Sequence, residues 1–152
     1  MTGTPHRIRK FEITDLDELF RLRKLLWDQV PVAEHQEEIL DVLARPESQQ
    51  VFVAEAQDGK LAGFLEVSIR PFVEDCETDN VGYLEGWFVD AAHRRKGIGR
   101  SLVGTAENWA RSQGCREMAS DVELGNDTSL SAHKNLGYDE TSRLVHLKKR
   151  LD

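Results

Sequence analysis

The chain has little of what would mark a special route to a stable fold. It has two cysteines, Cys76 and Cys115, far apart and with no CxxC or Cys/His spacing. That pattern gives neither a metal site nor a disulfide framework, and each thiol reads as filler rather than nucleophile. A cytoplasmic setting is the simplest one for such cysteine usage. No apolar run is long enough to span a bilayer. The start, MTGTPHRIRKFEITD, has no apolar h-region, so no secretory signal is expected. No repeat, low-complexity tract or Pro/Gly/Ser linker divides the 152 residues, so one domain over 1–152 is expected. Positive charge is also in deficit, with 20 Lys and Arg against 27 Asp and Glu for a net charge of -7. A sequence-independent nucleic-acid binder carries a basic face, and this balance argues against one. The charge suits a cationic partner through long-range steering, and it equally suits plain solubility.

What is present reads as alternating elements. RIRKFEI is a first strand. TDLDELFRLRKLLWDQV is a helix: Thr14 and Asp17, or Asp15 and Glu18, have capping-box spacing, and Leu16, Leu19, Leu22 (or Phe20), Leu26 and Trp27 recur at helical spacing. AEHQEEILDVLAR is a second helix, stopped by Pro46. Two β-rich runs then flank Asp58-Gly59, a strong hairpin turn. PFVEDCETDN is an acidic loop, and VGYLEGWFVD is a strand. GRSLVGTAENWARSQG is a helix with Gly114 beyond its end. REMASDV is a short strand, NDTSLSAHKNLG a helix stopped at Gly137, and YDETSRLVHLKKRL one or two strands. Consecutive early strands imply antiparallel pairing, while the strand-helix-strand run from Tyr83 to Val122 implies a parallel crossover. The fold class is therefore α/β (α+β, mixed sheet) with helices on both faces.

The most informative stretch is HRRKGIG, residues 93–99, where cations run into two glycines at a strand-to-helix turn. A helix N-terminus has unpaired N–H groups and a partial positive charge, so it takes anions. Glycine permits φ > 0 and close approach of the backbone to a phosphate. Arg94, Arg95, Lys96 and Arg100 add charge. The turn is neither a P-loop, since no GK[ST] follows, nor a dinucleotide fingerprint, since the third glycine is missing. An ordinary charged surface loop is the competing reading.

Arg94-x-x-Gly97-x-Gly99, after GWFVD and before an amphipathic helix, resembles the pyrophosphate-binding signature of the GNAT acyltransferase superfamily. The element order above is also the GNAT order over essentially the whole chain. The resemblance implies acetyl-CoA as cosubstrate, with its diphosphate on the backbone N–H groups of Arg95, Lys96, Gly97, Ile98, Gly99, Arg100 and Ser101. Backbone groups of Trp87 and Val89 would meet the pantetheine arm on a splayed strand end. Asn126, opening the last helix, is similar to the family's pantetheine-contacting asparagine, and AHKNLGY to the Y-x-x-x-G-F end of that helix. His133 stands where many members carry a general-acid tyrosine. It reads either as a weak acid near the thiol or as a satisfied helix histidine.

Acetyl transfer to an amine needs a proton acceptor and a donor for the oxyanion. Glu85 lies inside the apolar strand YLEGWFV and Asp121 ends the strand EMASD. A charge inside such a strand is costly unless paired or functional, and the proposed crossover makes the two strands neighbours. The competing readings are a solvent-facing glutamate and a helix-capping aspartate. YLEG-x-FV followed by GCREMASD, with LRKLLW and IRPFVEDC upstream, resembles the aminoglycoside 6'-N-acetyltransferases of that superfamily. By that resemblance Glu85 and Asp121 bind the acceptor amine and help deprotonate it, Trp27 lines the acceptor pocket and Phe72 sits on its rim. The acidic loop and the net charge then suit a polycation. The same resemblance implies a homodimer, and the direct transfer it implies needs no metal; the charge balance and the short apolar runs already argue against a nucleic-acid or membrane partner. Two positions depart from the subgroup: Phe72 stands where it shows Tyr in YVNGC, and Ser142 where it has a second acidic residue in EETER. They keep open a GNAT enzyme for another amine, such as a polyamine, an amino sugar or a protein N-terminus. An acyl-CoA-binding module without catalysis is the reading from outside enzymology.

Overall fold

The computed structural model describes residues 6–152; the expectation about the start of the chain lies partly outside them. The elements run β1 (Arg7–Lys10), α1 (Leu16–Leu26), α2 (Val32–Leu43), β2 (Gln49–Glu55), β3 (Leu61–Arg70), β4 (Val81–Val89), α3 (Ile98–Ser112), β5 (Met118–Ser120) and α4 (Asp127–Asn135). The strands form one sheet in the order β1-β2-β3-β4-β5. The first three pairings are antiparallel, and β4–β5 is the parallel crossover expected from the sequence. The chain separates into two compact units, Met1–Asp121 and Val122–Asp152.

In the first unit the Asp58-Gly59 turn closes the β2–β3 hairpin, with Gly59 at φ 84 and the Asp58 carboxylate accepting the Lys60 N–H at 3.0 Å. Phe64 packs in a core with Leu19 and Leu22 of α1, Ile39 of α2, and Val51 and Val53 of β2. Its neighbour Gly63 points the other way, as alternation in a strand requires, and a Cβ there would meet Leu102 of α3. Helices thus cover both faces. The start of α1 differs from expectation: Asp15, not Thr14 or Glu18, makes the capping contact, accepting the Glu12 N–H at 2.8 Å. A one-turn 3-10 segment, Ile13–Asp15, precedes the helix and moves the cap back.

In the second unit Asn126 caps α4, its side chain accepting the Ser129 N–H at 3.2 Å. Gly137, at φ 95, follows the helix as expected. The expected final strand is absent: residues 138–152 form no strand among the described residues. Leu144, Val145, Leu147 and Leu151 are all exposed, so the apolar alternation that suggested a strand is not paired within the single chain.

Candidate active site

The β3–β4 register explains how Glu85 comes to sit in an apolar strand. Val67 opposes Leu84 and Glu66 opposes Gly86, so Glu85 is the extra residue of a β-bulge. The bulge frees its side chain from the regular alternation. Glu85 meets Ser68 and Arg70, which share one face of β3 with Glu66. Ser68 Oγ donates to Glu85 Oε2 at 2.5 Å, while Arg70 donates through Nε to Oε2 at 2.9 Å and through Nη2 to Oε1 at 2.7 Å. The Arg70 guanidinium also lies 3.5 Å from the centroid of the Tyr83 ring, and the Tyr83 hydroxyl donates to Asp121. Glu85 and Asp121 are therefore joined through Arg70 and Tyr83 into one polar array. Burial, reinforced by the Asp121 carboxylate, pushes the Tyr83 hydroxyl well above the usual tyrosine value. The phenol stays protonated and serves as a donor that orients Asp121.

One wall of this array is Trp27, which follows α1 directly. A Cβ on Gly86 would collide with its indole, so glycine at the bulge is what lets the ring approach the strand. Behind the ring, Arg23 lies 4.6 Å from its centroid and is fully buried. Arg23 donates to Glu66 and to Glu38, and through Nε to His35 Nδ1 at 3.1 Å. Burial pushes the Glu66 carboxyl up from the ordinary glutamate range, with the Arg23 charge pulling against it. A buried charge is costly alone and tolerable only when paired, which is why this α1 arginine has three polar partners. After β3, loop 71–80 places Phe72 in solvent. The loop is pinned by Glu117, whose carboxylate accepts the N–H groups of Glu77 and Thr78 at 2.9 and 2.7 Å. These bonds, with the Thr78 hydroxyl first, hold the Glu117 carboxyl below its usual value.

The turn after β4 has the features of an anion cradle. β5 pairs with β4 only from Gly82 to Leu84. Asp90 donates its N–H to Ala62 at 2.7 Å, so strand alternation turns the peptide groups of Val89 and Trp87 to the edge away from β3. Arg95 at φ 65 and Gly97 at φ 80 wind the chain into α3, and the first turn of that helix presents the N–H groups of Gly97, Ile98, Gly99 and Arg100. One detail corrects the sequence reading and two add to it. The Ser101 N–H is committed to Gly97 O at 3.0 Å, because it is the first intrahelical bond, so Ser101 has only its hydroxyl to offer. Gly99 has no positive φ; it is small because a Cβ would stand 3.1 Å from Trp87 Cζ2. Arg94 turns its guanidinium back, donating to Val89 O at 2.9 Å. In the second unit, the Nδ1 of buried His133 hydrogen-bonds Ser129 O at 2.8 Å. A carbonyl only accepts, so this nitrogen is the donor in that bond.

The Acetyltransferase (GNAT) family model matches residues 17–138. The chain belongs to the GNAT acetyltransferase family. Among its relatives, an aminoglycoside N(6')-acetyltransferase type 1 from Klebsiella aerogenes is 43% identical over 148 residues, covering 95% of this chain and 96% of that protein. The same enzyme type from Serratia marcescens is 36% identical over 138 residues, 90% of this chain and 94% of the other. Among solved structures, AAC(6')-Iy bound to the bisubstrate analog CoA-S-monomethyl-acetylneamine superposes with a TM-score of 0.91 at 35% identity, covering 97% and 99% of the two chains. The 6'-N-acetyltransferase AAC(6')-IG from Acinetobacter haemolyticus gives 0.90 at 36% identity, covering 96% and 99%. For this GNAT chain, the sequence reading named Glu85, Asp121, Trp27 and Phe72 but missed Ser68, Arg70, Tyr83, Arg23 and Glu117. A signal for two of them was present: Glu66, Ser68 and Arg70 alternate with Leu65, Val67 and Ile69, a polar face on a strand otherwise buried.

Proposed function

We propose that the chain transfers the acetyl group of acetyl-CoA to the 6'-amino group of aminoglycosides, by direct attack in a ternary complex, and so confers resistance to them. The observation that carries this reading is the acidic array of Glu85 and Asp121 at the bulge, walled by Trp27, on a family scaffold whose close relatives bear that name. Glu85 and Asp121 dock the acceptor's ammonium, and Glu85, directly or through one water, takes its proton. A carboxylate in direct contact with an ammonium favours the charged amine, so the route through water eases the transfer. Acetyl-CoA supplies an activated thioester: the amine nitrogen forms a bond to the carbonyl carbon, the C–S bond breaks and CoA leaves as the thiolate. The Val89 N–H, turned to the open edge of β4, is the oxyanion donor. The peptide groups of Trp87 and Val89 take the pantetheine arm, and the turn from Arg95 to Arg100, with the Ser101 hydroxyl, takes the diphosphate. The positive φ at Gly97 and the orphan N–H groups of α3 fit that role. Arg94 braces the turn through Val89, and Asn126 and His133 are carried over by resemblance as further contacts to the cosubstrate.

The reading includes three broader points. Residues 1–152 act as one GNAT domain, since the family match at 17–138 crosses from one compact unit to the other. The enzyme works in the cytoplasm, where acetyl-CoA is made; both cysteines are free, and no helix among the described residues is long and apolar enough to cross a membrane. It works as a homodimer, for which the exposed Leu144, Val145, Leu147 and Leu151 supply an unpaired apolar segment; a monomer mass in sedimentation at micromolar concentration would contradict this. The activity test is thiol release from acetyl-CoA with kanamycin or tobramycin beside spermidine and glucosamine. Turnover confined to the aminoglycosides supports the reading, and turnover confined to the others would move the acceptor class.

A further inference from the structure

The acceptor site holds a cation of its own. Both oxygens of Glu85 are engaged: Oε1 by Arg70 Nη2, and Oε2 by Arg70 Nε and Ser68 Oγ. The two parallel N–H donors make this a bidentate guanidinium–carboxylate pair, the geometry that arginine achieves and lysine does not. The guanidinium is also stacked on Tyr83, whose hydroxyl is bound to Asp121. An acceptor ammonium directed to Glu85 thus meets a carboxylate already neutralised by the chain itself. Two features let the contact open. The Arg70 and Glu85 side chains are 43% and 33% exposed, so water can take over both partners. Arg70 is also the last residue of β3, followed by the loop at Pro71.

We propose that Arg70 is an internal counter-cation on Glu85, which a cationic acceptor displaces on binding, so that Arg70 sets how tightly the acceptor is held. This rests on the acceptor reading above. The apparent affinity is reduced by the fraction of molecules in which the pair is closed. A half-exposed ion pair is worth up to about 1 kcal/mol, which corresponds to about a fivefold loss of acceptor affinity. Arg70 is a specificity-determining residue here: an acceptor that brings several ammonium groups compensates for the displacement better than one that brings a single amine.

The test is calorimetric titration of tobramycin into the wild-type protein, Arg70→Gln and Arg70→Lys, with thermal melts to confirm folding and kanamycin turnover measured alongside. Displacement predicts about fivefold tighter binding to Arg70→Gln. It also predicts binding to Arg70→Lys that is tighter than wild type, since the charge stays but the two-pronged contact is lost. Arg70→Gln no tighter than wild type overturns the proposal and makes Arg70 a brace for Glu85. A tighter Arg70→Gln beside an unchanged Arg70→Lys overturns it too, because long-range repulsion then explains the gain. Absent kanamycin turnover in wild type bears on the acceptor reading alone, since the binding comparison is decided separately.

Discussion

Replacing Gly86 by alanine places one methyl group where the Trp27 indole leaves no room. The added Cβ would lie 2.7 Å from Trp27 Cζ2, and the indole has little room to yield. It is backed by the Arg23 guanidinium at 4.6 Å, by Phe64 with centroids 6.1 Å apart and by His35 at 6.5 Å. Overpacking a site of this kind costs about 1–3 kcal/mol. For a chain of this length, a loss of about 2 kcal/mol lowers Tm by roughly 4–8 °C. In the acceptor reading proposed above the displaced ring also walls the acceptor site, so the KM for the aminoglycoside rises while the KM for acetyl-CoA stays near its wild-type value. Thermal melts and steady-state kinetics on Gly86→Ala read both effects. Combining it with Trp27→Leu relieves the clash, so the double variant loses less stability than the sum of the singles, with a coupling of at least about 0.5 kcal/mol. An unchanged Tm in Gly86→Ala, or strictly additive losses, would refute the claim that glycine is needed there for the approach of Trp27.

Other perturbations separate the remaining parts of the structure. Gly97→Ala forces a side chain to φ 80 in open space, costs about 1 kcal/mol and raises the KM for acetyl-CoA by about fivefold. Gly97→Asn recovers part of that loss, because asparagine tolerates this conformation; equal KM values in all three forms would deny the turn its role. The hydrogen bonds from Arg9 hold the Asp15 carboxyl below its ordinary range. Its stabilising contribution is therefore present above the unfolded aspartate value of about 3.9 and is lost as pH falls through the lower folded value. Asp15→Asn should lose roughly 1–3 kcal/mol at pH 7 and approach the wild type near pH 2 in urea melts. Parallel stability-versus-pH curves for the two proteins would count against the pairing.

The strands, the three long helices and the glycine turn were legible because each has a local cause: the period of the apolar residues, Asp58-Gly59, and Gly97 before a helix. Glu85 was legible as an anomaly, but not its cause, since a bulge is a property of the register between two strands and neither strand alone records it. Arg23 resembled any charged residue of an amphipathic helix. Its burial follows from Glu66, 43 residues away, a pairing no local pattern encodes. Gly99 was read as a phosphate-facing glycine; its closeness to Trp87 on the preceding strand is a second constraint that no local pattern encodes. The C-terminal segment failed for the converse reason: its alternation is that of a strand, but a strand exists only where a partner edge completes its hydrogen bonds.

The most direct test of the central claim is acetylation of kanamycin, followed by thiol release and by mass spectrometry of the product, in wild type, Glu85→Gln and Asp121→Asn. A single acetyl group on the 6'-amine is expected with the wild type. Glu85→Gln should lose at least about 100-fold in kcat, since general-base assistance is worth that much, while Asp121→Asn should show a raised acceptor KM, and both should keep acetyl-CoA affinity. Wild-type turnover of kanamycin that survives in Glu85→Gln would contradict the assignment of the bulge carboxylate as the group that receives the proton.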